Sequence, residues 1–226
     1  MKVSPGRMDM TKYSMDYMLR TGALAALFSL CLNVGAADKP ALANAFDETP
    51  AEHQECMKLV YSRKDPRDPD WVHMHHYCQG LRFYQRAQKT RNDSAQFRHN
   101  LANSIDGYDY VLRQTKKTFR MRPEVLVMRG RTLELMSQDK EAAMQYFEAL
   151  ELDANFSMAY GALGNLLARQ GQKSEALKIL GEGLRRKPNN RYLQARYAAI
   201  SGGALPPRAS TTAPTTESAG EESDTP

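Results

Sequence analysis

A self-match at a period of 34 residues constrains this chain more than any other feature. Gly164, Ala176 and Gly183 stand 34 positions after Gly130, Ala142 and Ala149, and Leu180 and Tyr160 follow Tyr146 and Leu126 by the same step. The later unit, SMAYGALGNLLARQGQKSEALKILGEGLRRKPNN, reads as two amphipathic helices joined by a tight turn at Gln170-Gly171-Gln172. Small residues at fixed places let two helices cross closely, and large ones fill the holes around the crossing. A unit of this size cannot bury its apolar face alone, so the repetition predicts stacked helix-turn-helix units sharing a continuous core.

Within Ser157–Asn190 the landmarks are an aromatic at Tyr160, the pair Leu163-Gly164, then Leu167, Ala176, Leu180 and Pro188. That order resembles the tetratricopeptide repeat (TPR) family. The preceding unit, 123–156, carries Leu126, Gly130, Leu133, Ala142, Tyr146 and Ala149, with Arg129 where the family has Leu and Ala154 where it has Pro. The resemblance covers about a third of the chain. It implies an all-α fold, a short right-handed α-solenoid of antiparallel helix pairs. It also implies a non-enzymatic scaffold that binds a segment of another protein, because these repeats are recognition surfaces rather than reaction centres.

In this family the first helix of each repeat lines a concave groove. By position, the resemblance puts Val127, Arg131, Glu134 and Leu135 in the groove from one unit, and Gly161, Asn165, Ala168 and Arg169 from the next. Tyr192 and Ala195 would join them from the following helix. Asn165 stands where some members hold a peptide backbone or a terminal carboxylate, whereas Gly161 stands where those members carry Lys.

Around the repeats the chain divides by composition. Residues 1–43 read as a leader: Arg20 precedes the apolar run TGALAALFSLCLNVGAA, which is short for a membrane span and ends in small residues. Cleavage is expected near Ala36 or Ala43, and a start at Met18 would make the leader compact. Leu30 before Cys31 does not suit lipidation. The expected setting is therefore the periplasm of a bacterium, and the expected partner another exported or membrane protein. An uncleaved leader would instead make a membrane-tethered assembly factor, with membrane contact through the leader alone.

Residues 44–68 form an N-terminal helix and turn. Thr49-Pro50-Ala51-Glu52 is a capping box, the helix is expected to reach about Arg63, and KDPRDPD stops it. Asp68 and Pro69 open an elongated degenerate repeat over 69–122, whose second helix is expected from Ser94 to about Phe119. Gly80 precedes Gly130 by 50 residues, 16 more than one period, which adds about two turns to each of two antiparallel helices. Residues 191–200 read as a capping helix that covers the last apolar face. The segment 201–226 is rich in Thr, Ser, Pro and acidic residues, holds one Leu and no aromatic, and is expected to be a disordered tail.

A net charge of +5 spread over helices lacks the clustering that nucleic acid requires. Beyond the leader the cysteines are Cys56 and Cys78, on helices joined by a short turn, and in an exported protein that pattern points to a disulfide. Two buried free thiols are the plain alternative. A further alternative is zinc: His53 and Cys56, and His75 and Cys78, are each three residues apart, so each pair shares a helical face. Such a site would make the chain a metal-binding or redox module on a repeat scaffold. A disulfide and a thiolate site exclude one another. With no Gly-rich phosphate loop, nucleophile elbow or distinctive carboxylate pair, neither an enzyme nor a further cofactor is expected.

Overall fold

The computed structural model describes residues 49–203 apart from 57, 59, 61 and 66, so the leader and nearly all of the tail lie outside the described residues. The helices are α1 (Pro50–Cys56), a 3-10 turn (Pro69–His73), α2 (Met74–Lys89), α3 (Ser94–Gln114), α4 (Arg122–Leu135), α5 (Asp139–Leu152), α6 (Ser157–Arg169), α7 (Lys173–Arg186) and α8 (Arg191–Ser201). Among the described residues there is no strand. The pairs α2/α3, α4/α5 and α6/α7 are antiparallel hairpins, and each second helix packs on the first helix of the next unit. The first helices α2, α4, α6 and α8 also touch in succession, forming one wall of a TPR-like solenoid.

The three hairpins share one crossing. A Cβ built on Gly164 would lie 2.7 Å from Leu180 Cγ, one on Gly130 would lie 2.5 Å from Tyr146 Cε1, and one on Gly80 would lie 2.7 Å from Tyr108 Cε1. In the two regular units the large residue follows its glycine by 16 positions, but in the elongated unit by 28. Twelve of the sixteen extra residues therefore extend the hairpin beyond the crossing, and four lengthen the connection into α4. The regular turns also correspond. Gly171 has φ 77°, and Ser137, 34 residues earlier, is held at φ 61°, where a Cβ is disfavoured.

Two helix ends depart from the sequence pattern. The Thr49–Glu52 capping box forms, with Thr49 N–H donating to Glu52 Oε2 (3.0 Å) and Glu52 N–H to Thr49 Oγ1 (3.3 Å). The α-helical bonding of α1 ends at Cys56, but Lys58 and Val60 continue as π-helix up to the turn at Ser62-Arg63, so the chain stays helical close to the expected Arg63 while Val60 is buried with Trp71 and Tyr77 and Arg63 reaches Glu124. The helix begun at Pro69 starts as a 3-10 turn, where Trp71 is buried edge-on against Phe119 at 5.7 Å. The α3 helix stops at Gln114 rather than near Phe119. Thr115 turns extended, Asp70 accepts a hydrogen bond from Lys116 N–H (2.9 Å), and Arg122 Nη1 donates to the carbonyls of Leu112 (2.8 Å) and Thr115 (3.0 Å). A buried guanidinium thus satisfies carbonyls that the helix end leaves open.

Two core clusters result. One joins α4 to α8 through Leu126, Tyr146, Leu163, Ile179, Leu180 and Leu193, and the other joins α1, the 3-10 turn, α2, α3 and the start of α4.

Candidate functional site

The wall made by α2, α4, α6 and α8 is where the groove is expected. From α4, Arg131, Glu134 and Leu135 are half-buried; from α6, Asn165 and Ala168 are half-buried and Arg169 is exposed; from α8, Tyr192 is half-buried and Ala195 exposed. Val127 departs from the expectation. It is fully buried in the core shared with α5, α6 and α7 and offers no surface to a ligand.

Gly161 is also buried, and the reason is Tyr192. A Cβ at Gly161 would collide with Tyr192 Cε1 and lie 2.5 Å from its hydroxyl, so the missing side chain makes room for the ring. Arg131 Nη2 donates to the Tyr192 hydroxyl at 3.4 Å, and the Arg196 guanidinium lies 3.6 Å from the ring centroid. One tyrosine is thus laid across α6 and gripped by two arginines, one through its hydroxyl and one through its π face.

Next to it Glu134 pairs with Arg169 Nη2 at 2.5 Å and accepts a hydrogen bond from Tyr146, while its side chain is only 10% exposed. Burial and the Glu134 charge both push the Tyr146 hydroxyl well above the usual phenol range, so it stays a donor. Tyr84 of α2 belongs to the same field. Burial raises its pKa, Arg131 opposes the rise and Glu134 adds to it. The sequence argument missed Tyr84, although the signal was available: it follows Gly80 by four residues, as Glu134 follows Gly130 and Ala168 follows Gly164.

Toward α2 the chain closes its own wall. Tyr77 is buried and donates its hydroxyl to Glu124 Oε1 (2.9 Å), and Arg63 Nη1 and Nη2 reach the same carboxylate at 2.7 and 3.2 Å. Burial, followed by the charge of Glu124, holds Tyr77 protonated. Alongside, α1 is fixed to α2 by a disulfide between Cys56 and Cys78, whose Cα atoms are 5.6 Å apart. Arg86 clasps Glu52 with Nε and Nη2 at 2.9 and 2.8 Å, and Gln85 donates to Glu55 at 3.2 Å. Burial works against ionisation of Glu52, but its bonds from Arg86 and Thr49 prevail and bring its pKa down to about 2.

The disulfide removes the thiolates that a zinc site at His53, Cys56, His75 and Cys78 requires. His75 Nδ1 is engaged with the Val72 carbonyl at 2.7 Å, and the His53 side chain lies outside the described residues. Among the described residues no group of three or more His, Cys, Asp or Glu is arranged to hold a metal ion. The histidines make an aromatic patch instead. The His75 and His76 rings lie 4.2 Å apart, and His76 lies 3.6 Å from Tyr110. Burial and the neighbouring His75 depress the pKa of His76.

No protein-family model and no curated protein match the chain. Solved structures do. The first TPR domain of human RPAP3 is 18% identical over 55% of this chain and 91% of that one, with a TM-score of 0.41. The TPR2B domain of yeast Sti1 in a pHsp70 complex is 14% identical over 56% of this chain and 98% of that one, TM-score 0.41. The second TPR domain of human RPAP3, in complex with the HSP70 peptide SGPTIEEVD, is 16% identical over 56% of this chain and 98% of that one, TM-score 0.40. What makes this chain TPR-like is internal to it: the glycine-anchored crossings and the wall of first helices.

Proposed function

We propose that this chain is a non-enzymatic scaffold of the cell envelope that binds a segment of another exported or membrane protein along the wall formed by α2, α4, α6 and α8. One observation carries the reading. Tyr84, Arg131, Glu134, Asn165, Arg169 and Tyr192, from four successive first helices, present hydrogen-bonding groups on one face above a floor of fully buried residues. An extended segment needs donors and acceptors for its backbone at several points, and a rigid wall supplies them without ordering cost on its own side. A disulfide in the structure agrees with an oxidising compartment, and thus with the export expected from the leader.

The test is differential capture from an envelope extract, comparing the native chain with an Arg131→Glu, Arg169→Glu chain. The reading expects specific partners to be lost from the variant while its helical circular dichroism shows it folded, with a lowered Tm because Arg169 neutralises Glu134. Identical partner sets from the two chains would remove the groove as the site.

A further inference from the structure

The centre of the groove is unbalanced in charge. Arg131, Arg169 and Arg196 meet there, while Glu134 is the carboxylate among them and is already engaged by Arg169 and Tyr146. Among the described residues Arg131 contacts Tyr192 and Met128 Sδ and Arg196 contacts Tyr192, none of them a carboxylate, and the Arg169 side chain is 56% exposed. The chain itself carries the complementary charge. Beyond Gly203, residues 204–226 hold Glu217, Glu221, Glu222 and Asp224 against a single base, Arg208, and the acids fall within eight positions.

We infer that the acidic stretch Glu217–Asp224 is an intramolecular occupant of the groove, docking on Arg131, Arg169 and Arg196 in competition with the partner segment. This rests on the groove being the binding surface proposed above.

The connection favours it. The tail leaves from α8, the helix that supplies Tyr192, Ala195 and Arg196 to the groove. α8 spans about 16 Å at 1.5 Å per residue. The fourteen residues from Gly203 to Glu217 cover about 20 Å as a coil and up to about 46 Å when extended. Tethering at that distance gives an effective concentration on the order of millimolar, enough to populate contacts too weak to form between separate chains. The contacts are exposed ion pairs, so docking should weaken steeply with salt.

The experiment is paramagnetic relaxation on the full chain with Cys56–Cys78 intact, carrying Cys31→Ser and a nitroxide at Ala219→Cys. The expected result is amide broadening at Asn165, Arg169 and Ala195 at least about threefold stronger than at Arg98 and Ala102 on α3, with loss of the difference in about 0.5 M salt. A chain with Glu217→Gln, Glu221→Gln, Glu222→Gln and Asp224→Asn should lose it as well, as should the Arg131→Glu, Arg169→Glu chain. Equal broadening on α3 and α6, or broadening that survives neutralisation of the four acids, overturns the proposal. So does broadening that appears only when isotope-labelled and spin-labelled chains are mixed, since the occupant would then be a second copy. If partner capture depends on Arg131 and Arg169 but the tail causes no broadening, the tail proposal alone fails. If the tail broadens the groove but capture is unchanged in the variant, the groove fails as the partner site.

Discussion

The hairpins α2/α3 and α6/α7 solve the same crossing in different ways. In α6/α7 the glycines at the crossing lie under side chains: Gly164 under Leu180, and Gly183 under Leu193 and Tyr160. An added methyl there would force a buried side chain to shift, which is less costly than displacing backbone. In α2/α3 the backbones themselves meet, because a Cβ at Gly107 would lie 2.6 Å from the His76 carbonyl oxygen and 2.8 Å from Gly80 N. The elongated hairpin adds ties that the regular one lacks: a disulfide, the Arg63–Glu124–Tyr77 network and a buried Ser104–Thr132 hydroxyl pair at 3.1 Å. A regular repeat has a fitting neighbour on each side and is held by apolar volume. Among the described residues the first hairpin has another repeat on one side only and uses directional bonds to fix α1 over the other.

The sharpest way to break this contrast is to put a methyl at each crossing. Gly107→Ala should cost about 3 kcal/mol, since backbone cannot move aside. Gly164→Ala should cost less, about 1 to 2 kcal/mol, because a buried Leu180 must shift while alanine favours the helix. Urea midpoints that fall equally for the two would dissolve the distinction.

Opening the disulfide comes close behind. Cys56→Ser with Cys78→Ser should lower stability by about 3 kcal/mol for a loop of this length. Amide exchange should rise in α1 and α2 while α6 and α7 stay protected, and uniform loss of protection would contradict the local role assigned to the bond. Glu124→Gln, which leaves Arg63 and the buried Tyr77 hydroxyl poorly matched, should cost about 2 kcal/mol. The corresponding change at Glu134 should cost a similar amount, about 1 to 2 kcal/mol, because it too is nearly buried and holds both an arginine and a buried tyrosine hydroxyl.

A change in the opposite direction tests the turns. Ser137→Gly should raise stability by about 1 kcal/mol by relieving a left-handed residue, and so bring the α4/α5 turn level with the Gly171 turn. Thermal unfolding decides this, and an unchanged Tm would show that the turn is unstrained.

The smallest effect is acid release of α1. The pKa of Glu52 falls from its ordinary 4.5 to about 2 in the folded chain, so its contribution is complete above about 4.5 and lost as pH drops toward about 2. Exchange in α1 should rise across that window ahead of α6, and Glu52→Gln should abolish the dependence.

Much of this was legible in sequence for physical reasons that can be named. Gly130 and Gly164 announce the crossings because a helical glycine is costly unless a neighbour needs the space. The Thr49–Glu52 box is local, and local hydrogen bonds follow from spacing alone. The groove positions carried over less well. Val127 follows the same register as Gly161, but whether such a position faces solvent depends on how far the next helix leans in. The change of α1 from α- to π-helical bonding after Cys56 was not legible, and neither was the bond from Arg63 to Glu124, which joins residues 61 positions apart.

By itself the sequence determined the helix pairs and their 34-residue phase, since both follow from periodicity, and it left Cys56 and Cys78 open between a disulfide, free thiols and a metal site. Only the tertiary structure decided that Tyr192 would lie on Gly161 and be gripped by Arg131 and Arg196, that Tyr84 would share the field of Glu134, and that the extra residues of the first hairpin would mostly extend its tip. Those outcomes depend on which faces meet when successive helices stack, and stacking is a balance of volumes summed over the whole core, which no single stretch of the chain encodes.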